Sequence, residues 1–310
     1  MTPPPQATDS PKGLAYAVAT YLMWGILPLY MKAVAHIPPT EVIAHRVIWS
    51  LPIAATVLIA QGRTGDIRAA IRRPRLLAMA ALTATLVTGN WLIYVWAIAN
   101  DHAMEAALGY YINPLGSICL AALFLGERLD RLQLVAVGLA GLAVAILTAE
   151  TGSLPLVAVG LVFTWGFYAF FKRSLPLGPN QGFTLEVALL FLPALGYLVW
   201  MNSNGTGHFG GNWRDTLLLM GCGPVTAVPL LFYANAAKLL RLSTIAVLQY
   251  ITPTMVFLIA VLIFAEPFDG ARRIAFPLIW AALAIYSFTL IRAARARRRL
   301  PQNETSLRPE

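Results

Sequence analysis

Ten stretches of mainly apolar residues, each about as long as a bilayer is thick, follow one another along this 310-residue chain. A membrane-crossing helix needs roughly 20 such residues to span a hydrocarbon core about 30 Å thick. The stretches fall at about 13–33, 41–61, 76–98, 104–125, 132–150, 154–173, 183–201, 215–237, 243–265 and 274–292. Hydrophobic residues make up 58% of the chain and charged residues 12%, too few charges to cover a water-facing surface. The expected fold class is all-α integral membrane, ten transmembrane helices with mostly short connections. The same arithmetic excludes a disordered chain and a disulfide scaffold. Cys119 and Cys222 lie inside apolar runs and read as small core residues. The first stretch is too long for a cleavable signal peptide, and the preceding Thr2–Pro11 lacks a basic region.

Lys and Arg set the orientation of such a chain. An even number of spans puts both ends on one face. That face collects Lys12, the arginines between Arg63 and Arg75, Arg128, Arg131, Lys172, Arg173, Lys238, Arg241 and those from Arg292 onward, 18 of the 23 basic residues. The other face collects Lys32, Arg214, Arg272 and Arg273, and Arg46 alone lies inside a span. The bias predicts cytoplasmic termini and accounts for the net charge of +9 without a nucleic-acid partner. The Arg292–Arg299 cluster reads as a stop-and-orientation signal, with lipid binding as the alternative. Residues 1–11 are expected to be a disordered cytoplasmic N-terminus, and 296–310 a cytoplasmic basic tail.

The chain also repeats itself. With Pro114 placed over Pro253, Ala107, Tyr111, Ile112, Ala121, Leu123, Glu127 and Asp130 fall on identical residues. That makes eight identities in the 26 positions 105–130. Tyr94 meets Tyr233 at the same offset of 139. At an offset of 141, Trp24-Gly25 meets Trp165-Gly166 and Pro52 meets Pro193. Residues 12–150 and 154–295 therefore read as two five-helix repeats. Five is odd, so the second copy is inverted, the usual architecture of secondary transporters.

Tyr21-Leu-Met-Trp24-Gly25, Pro28-Leu-Tyr30-Met-Lys32, Glu41-Val-Ile-Ala-His45-Arg46, Asn90-Trp91-Leu-Ile-Tyr94-Val-Trp96, Leu108-Gly-Tyr-Tyr-Ile-Asn113-Pro114 and Gln249-Tyr250-Ile-Thr-Pro253 occur in this order. Together they resemble the RarD family of the drug/metabolite transporter superfamily, in the branch with two five-helix EamA repeats. The resemblance runs from about residue 12 to 295. It implies a bacterial inner-membrane transporter that works without a cofactor or an ATPase subunit. RarD members are commonly labelled chloramphenicol-sensitivity proteins. The wider superfamily includes YddG-type aromatic amino acid exporters, and the resemblance implies amino acids first as substrate. An exporter of neutral drugs is the alternative, and a monomer is expected.

Pro114 and Pro253 sit in the middles of the fourth and ninth spans, where each leaves one carbonyl unpaired, that of Tyr110 or Gln249. Breaks at matching positions in two halves point to a binding site, and the two prolines are candidate hinges. The candidate lining is Trp24, Asn90, Tyr94, Tyr111, Asn113, Trp165, Tyr168, Tyr233, Gln249, Tyr250 and Thr252. Glu186 is the one carboxylate clearly inside a span, and the first span carries none. The small multidrug pumps of the same superfamily use a carboxylate there, so a cationic-drug antiporter is disfavoured. A neutral or zwitterionic solute in an uncharged hollow is expected, moved without proton coupling. Arg46 reads as one partner of a structural or gating ion pair with Glu105 or Glu41, as a substrate contact, or as a snorkelling side chain.

His36, His102 and His208 fall in outer loops with no metal-site spacing, and no phosphate loop is present. Gly221-Cys-Gly223 reads as close helix packing. An intramembrane enzyme would need paired acids or a nucleophile–base set at depth, which the spans do not offer. A receptor or scaffold has no need of the repeat.

Overall fold

No water reaches backbone groups inside a bilayer, so each apolar stretch has to satisfy its own as a helix. The computed structural model describes residues 9–126 and 128–299. In chain order the helices are α1 (Pro11–Ala33), α2 (Pro39–Ala60), α3 (Thr64–Ile71), α4 (Pro74–Ala99), α5 (Ala103–Leu125), α6 (Arg131–Thr151), α7 (Leu156–Lys172), α8 (Pro179–Ser203), α9 (Trp213–Leu239), α10 (Leu242–Leu248), α11 (Ile251–Leu262) and α12 (Arg272–Arg299). Among the described residues nine segments are long and apolar enough to cross a membrane, α10 and α11 counting together. The tenth, α7, is shorter at 17 residues. Proline opens α1, α2, α4 and α8, where its missing N–H has no partner to lose.

Four local features differ from expectation. The Thr64–Ile71 loop segment is helical, and Ile67 and Ala70 pack with Leu76, Leu77, Leu175 and Leu185. Asp9 and Ser10, expected in the unstructured N-terminus, are tied down. Ser10 Oγ accepts from Gly13 N at 3.0 Å, and Asp9 pairs with Arg241. That guanidinium holds the Asp9 carboxyl down at about 2, so the tie stays ionised at neutral pH. Residues 296–299 of the expected tail continue α12, since alanine and arginine are strong helix formers. Finally, the two prolines differ. Span nine is broken at Gln249 and Tyr250, between α10 and α11, whereas α5 runs unbroken through Pro114. Residues 1–8, 127 and 300–310, and with them most of both terminal segments and the Glu127 partner of Glu266, lie outside the described residues.

The two halves pack on each other more than within themselves. α1 lies on α9 and α11, α2 on α8 and α9, α4 on α7 and α8, α5 on α7 and α11, and α6 on α12. Exchanging α1 with α7, α2 with α8, α4 with α9, α5 with α10–α11 and α6 with α12 returns the same set of neighbours. The fold is thus two inverted five-helix EamA repeats related by a pseudo-twofold axis. Both described ends lie at one end of the bundle. Asp9 holds Arg241 at the end of α9, and Tyr250 faces Ser287 in the last half of α12. At the other end Glu266, in the loop before α12, accepts from Ala103 N at 2.7 Å and Met104 N at 2.9 Å, capping α5 from the opposite half. Burial pushes the Glu266 carboxyl up, against the pull of those two backbone donors.

Small residues set the closest approaches. A Cβ at Gly25 would meet Met255 of α11 at 2.5 Å, and one at its repeat partner Gly166 would meet Leu120 of α5 at 2.6 Å. These glycines let α1 and α7 close on matching helices, and the adjacent Trp24 and Trp165 turn inward. Gly223 meets backbone rather than a flexible side chain, for a Cβ there would fall on the Trp49 carbonyl. Gly223→Ala is expected to force α2 from α9 and lower stability by about 1–3 kcal/mol. Thermal melting in detergent checks this; an unchanged midpoint would contradict the packing.

Candidate functional site

Between the halves the helices leave a central cavity of about 160 Å³. One water needs about 10–15 Å³ of such space, so this is a chamber and not a packing gap. Residues three or four apart on a helix share a face, and the wall is built from such pairs. They are Tyr21 and Trp24 on α1, Asn90 and Tyr94 on α4, Tyr110 and Asn113 on α5, and Trp165 and Tyr168 on α7. Glu186 and Leu190 come from α8, Thr226 and Leu230 from α9, and Gln249 and Pro253 from the broken ninth span, with Arg46 from α2.

Eight of the eleven expected lining residues reach the chamber: Trp24, Asn90, Tyr94, Asn113, Trp165, Tyr168, Gln249 and Thr252. Tyr233 stands behind the wall, its ring 5.8 Å from Trp24 and 6.4 Å from Tyr21. Tyr111 and Tyr250 do not face the chamber. They line a separate cleft with Phe257, Trp280 and Ser287, where Tyr111 OH meets Thr254 Oγ1 at 2.8 Å. The reason is helical phase. Successive residues point about 100° apart, so Tyr110 takes the inward position and Tyr111 turns toward α12.

Bonds across the halves hold the wall. Asn90 Nδ2 donates to Leu161 O at 3.2 Å and Thr164 Oγ1 at 2.9 Å, fixing α4 to α7. Thr252 Oγ1 donates to Tyr21 O at 3.0 Å, fixing α11 to α1. Gln249 Nε2 donates to Ala246 O at 3.0 Å within its own turn.

The hollow is not uncharged. Glu186, 1% exposed, accepts from Lys172 Nζ at 2.5 Å and from Thr83 Oγ1 at 2.7 Å. Lys172, the last residue of α7, sits one turn beyond Tyr168 and reaches to α8. Arg46, 4% exposed, makes no ion pair among the described residues and does not snorkel. Its Nε donates to Thr226 Oγ1 at 2.9 Å, and its guanidinium carbon lies 4.6 Å from the Trp91 ring centre. The expected carboxylate partners are engaged elsewhere. Glu105 holds His102 Nδ1 at 2.9 Å and faces a shallow cleft with Thr151 and Arg272, between α5, α6 and α12. Glu41 accepts from His208 N at 2.7 Å and meets its Nδ1 at 2.8 Å. Similar depth along the chain suggests that Arg46 and Glu105 meet, but Arg46 faces the central chamber and Glu105 a separate cleft.

Six polar or aromatic lining residues lie outside the candidate set: Tyr21, Trp91, Tyr110, Phe183, Glu186 and Thr226. Tyr21 precedes Trp24 by three positions and Tyr110 precedes Asn113 by three. Helical spacing from residues already chosen would have found both.

Two inverted five-helix halves closed around one aromatic, polar-studded chamber define a membrane transporter. Residues 11–149 match the EamA-like transporter family. A Vibrio cholerae protein named only as an uncharacterized transporter is 40% identical over 96% of this chain and 99% of its own. Protein RarD of Streptomyces exfoliatus is 42% identical over 92% of this chain and 91% of its own. A solved crystal structure, 22% identical, superposes with a TM-score of 0.57 over 95% of this chain and all of that one, and so shares the fold. The chain belongs to the RarD family of EamA-type proteins in the drug/metabolite transporter superfamily. It is a multi-pass bacterial membrane protein.

Proposed function

We propose that the protein exports small metabolites, amino acids first among them, across the bacterial inner membrane by alternating access through the central chamber. Both termini lie in the cytoplasm in this reading, as the basic bias requires. The observation that carries it is the asymmetry between otherwise matching halves: α5 is continuous through Pro114, whereas the matching span is broken into α10 and α11. In the opposite-facing state the halves exchange these conformations, with Pro114 and Pro253 as hinges. Trp24, Asn90, Tyr94, Asn113, Trp165, Tyr168, Gln249 and Thr252 contact the substrate. Their aromatic faces and amide groups suit an amphipathic solute. Tyr233 supports Trp24 from behind.

Radiolabelled efflux from proteoliposomes, across a panel of amino acids and neutral drugs, tests this. Saturable amino acid transport is expected, and it is expected to persist without a pH gradient. Broad efflux of neutral drugs with weak amino acid transport would replace this substrate class with the drug-exporter reading. Strict dependence on a pH gradient would refute the uncoupled mechanism and direct attention to Lys172 and Glu186.

A further inference from the structure

Six buried side-chain atoms lack a hydrogen-bond partner among the described residues, and three belong to the chamber wall: Arg46 Nη1, Tyr94 OH and Asn113 Oδ1. Of the three residues only Arg46 is charged. A buried cation without a counter-charge is costly, and intramembrane charges are normally paired or functional. Each carboxylate near enough to be considered is already occupied. Glu186 is bonded to Lys172 and Thr83, Glu41 to His208, and Glu105 to His102. With Glu186 and Lys172 cancelling, the chamber carries one uncompensated positive charge.

The guanidinium is also oriented. Thr226 takes its Nε and Trp91 covers one face, and no hydrogen bond among the described residues occupies either terminal nitrogen. A planar pair of donors at one end of a fixed fork matches the two oxygens of a carboxylate. A phosphate dianion would need more donors than this single cation supplies. Aromatic rings make up a large share of the remaining wall, among them Trp24, Trp91, Tyr94, Tyr110, Trp165 and Tyr168.

Resting on the transporter reading above, we infer that Arg46 is the carboxylate-binding residue of the chamber, and that the substrate class is organic carboxylates with an apolar or aromatic body. Amino acids belong to this class through their carboxyl group. Neutral drugs do not.

Because Trp24, Trp91 and Trp165 line the chamber, tryptophan fluorescence of the purified protein reads occupancy directly. The probes are 3-phenylpropionate and phenylalanine, with 3-phenylpropanamide as the uncharged isostere. The acids are expected to quench saturably and to bind about tenfold to a hundredfold more tightly than the amide, the worth of a charge-assisted hydrogen-bond pair. Arg46→Gln is expected to remove that preference, and Arg46→Lys, which keeps the charge without the fork, to keep part of it. Equal affinity for acid and amide in the unsubstituted protein, or no binding of either acid at millimolar concentration, would overturn the inference whether or not the variants fold. So would an undiminished preference in Arg46→Gln. Transport of the acids at the same rate by Arg46→Gln as by the unsubstituted protein would overturn this inference and leave the transporter reading standing. Carboxylate binding without transport of any solute would do the reverse.

Discussion

Replacing Lys172 by methionine is expected to destabilise the protein by about 3–5 kcal/mol, because it leaves a buried carboxylate without its counter-charge. Glu186 is 1% exposed, and its Oε1 accepts from both Lys172 at 2.5 Å and Thr83 at 2.7 Å, while Tyr168 OH lies 3.5 Å from Oε2. With the ammonium gone, the Thr83 hydroxyl cannot balance a full negative charge. The effect is asymmetric. The Lys172 side chain is 23% exposed, so in Glu186→Gln the cation has a route to water and the loss is smaller. The double variant Lys172→Met with Glu186→Met removes both charges and should recover most of the stability, since an apolar pair of similar volume is often as stable as a buried ion pair. Thermal melting in detergent reads all three. A Lys172→Met protein as stable as the double variant would show that the two charges are not coupled. The pair also spans the two helices that present Tyr168 and Glu186 to the chamber, so Lys172→Met should disturb transport as well as stability.

Pro253→Ala and Pro114→Ala are expected to push the transport cycle in opposite directions. A proline inside a helix costs about 3 kcal/mol, mostly for a lost hydrogen bond and a clash with the preceding turn. Alanine at 253 gives the Gln249 carbonyl its donor back and favours a straight ninth span. Alanine at 114 does the same for Tyr110 and reinforces α5 as it already stands. If the two facing states differ in which span is broken, each substitution shifts their ratio by up to about a hundredfold, one away from the observed state and one toward it. Both should slow turnover, because a cycle needs both states. The check is the labelling ratio, from the two membrane faces, of a cysteine placed in the chamber wall. Shifts of the same sign in both variants would contradict an exchange of conformations between halves.

The spans were legible because lipid imposes a length and a composition that sequence displays directly. The repeat was legible because Trp-Gly and Tyr-Ile-x-Pro recur at constant offsets, and both glycines of the first pair turn out to sit against matching helices. Other properties depend on azimuth, which a linear sequence carries poorly. Matching Tyr111 to Tyr250 found equivalent positions, but equivalence does not say which way a residue faces, and both face the cleft beside α12. Depth along a helix suggests that Arg46 and Glu105 meet, yet α2 presents Arg46 to the chamber and the start of α5 presents Glu105 to a separate cleft. Lys172 stands at the very end of the sixth stretch, where the sequence shows a charge but no partner for it. Its partnership with Glu186 depends on how α7 packs near α8, a tertiary fact. The α3 helix was hidden by five arginines that read as an orientation signal, although Ile67, Ala70 and Ile71 keep helical spacing.

The central claim is a chamber between inverted halves that opens to each side of the bilayer in turn. Its most direct test places single cysteines at Trp24 and at its repeat partner Trp165, in a background without Cys119 and Cys222. Each is then exposed to a membrane-impermeant thiol reagent in right-side-out and in inverted vesicles. The account predicts labelling of both positions from both faces, with a transported carboxylate changing the ratio between faces. Labelling from one face alone, with and without substrate, would contradict it.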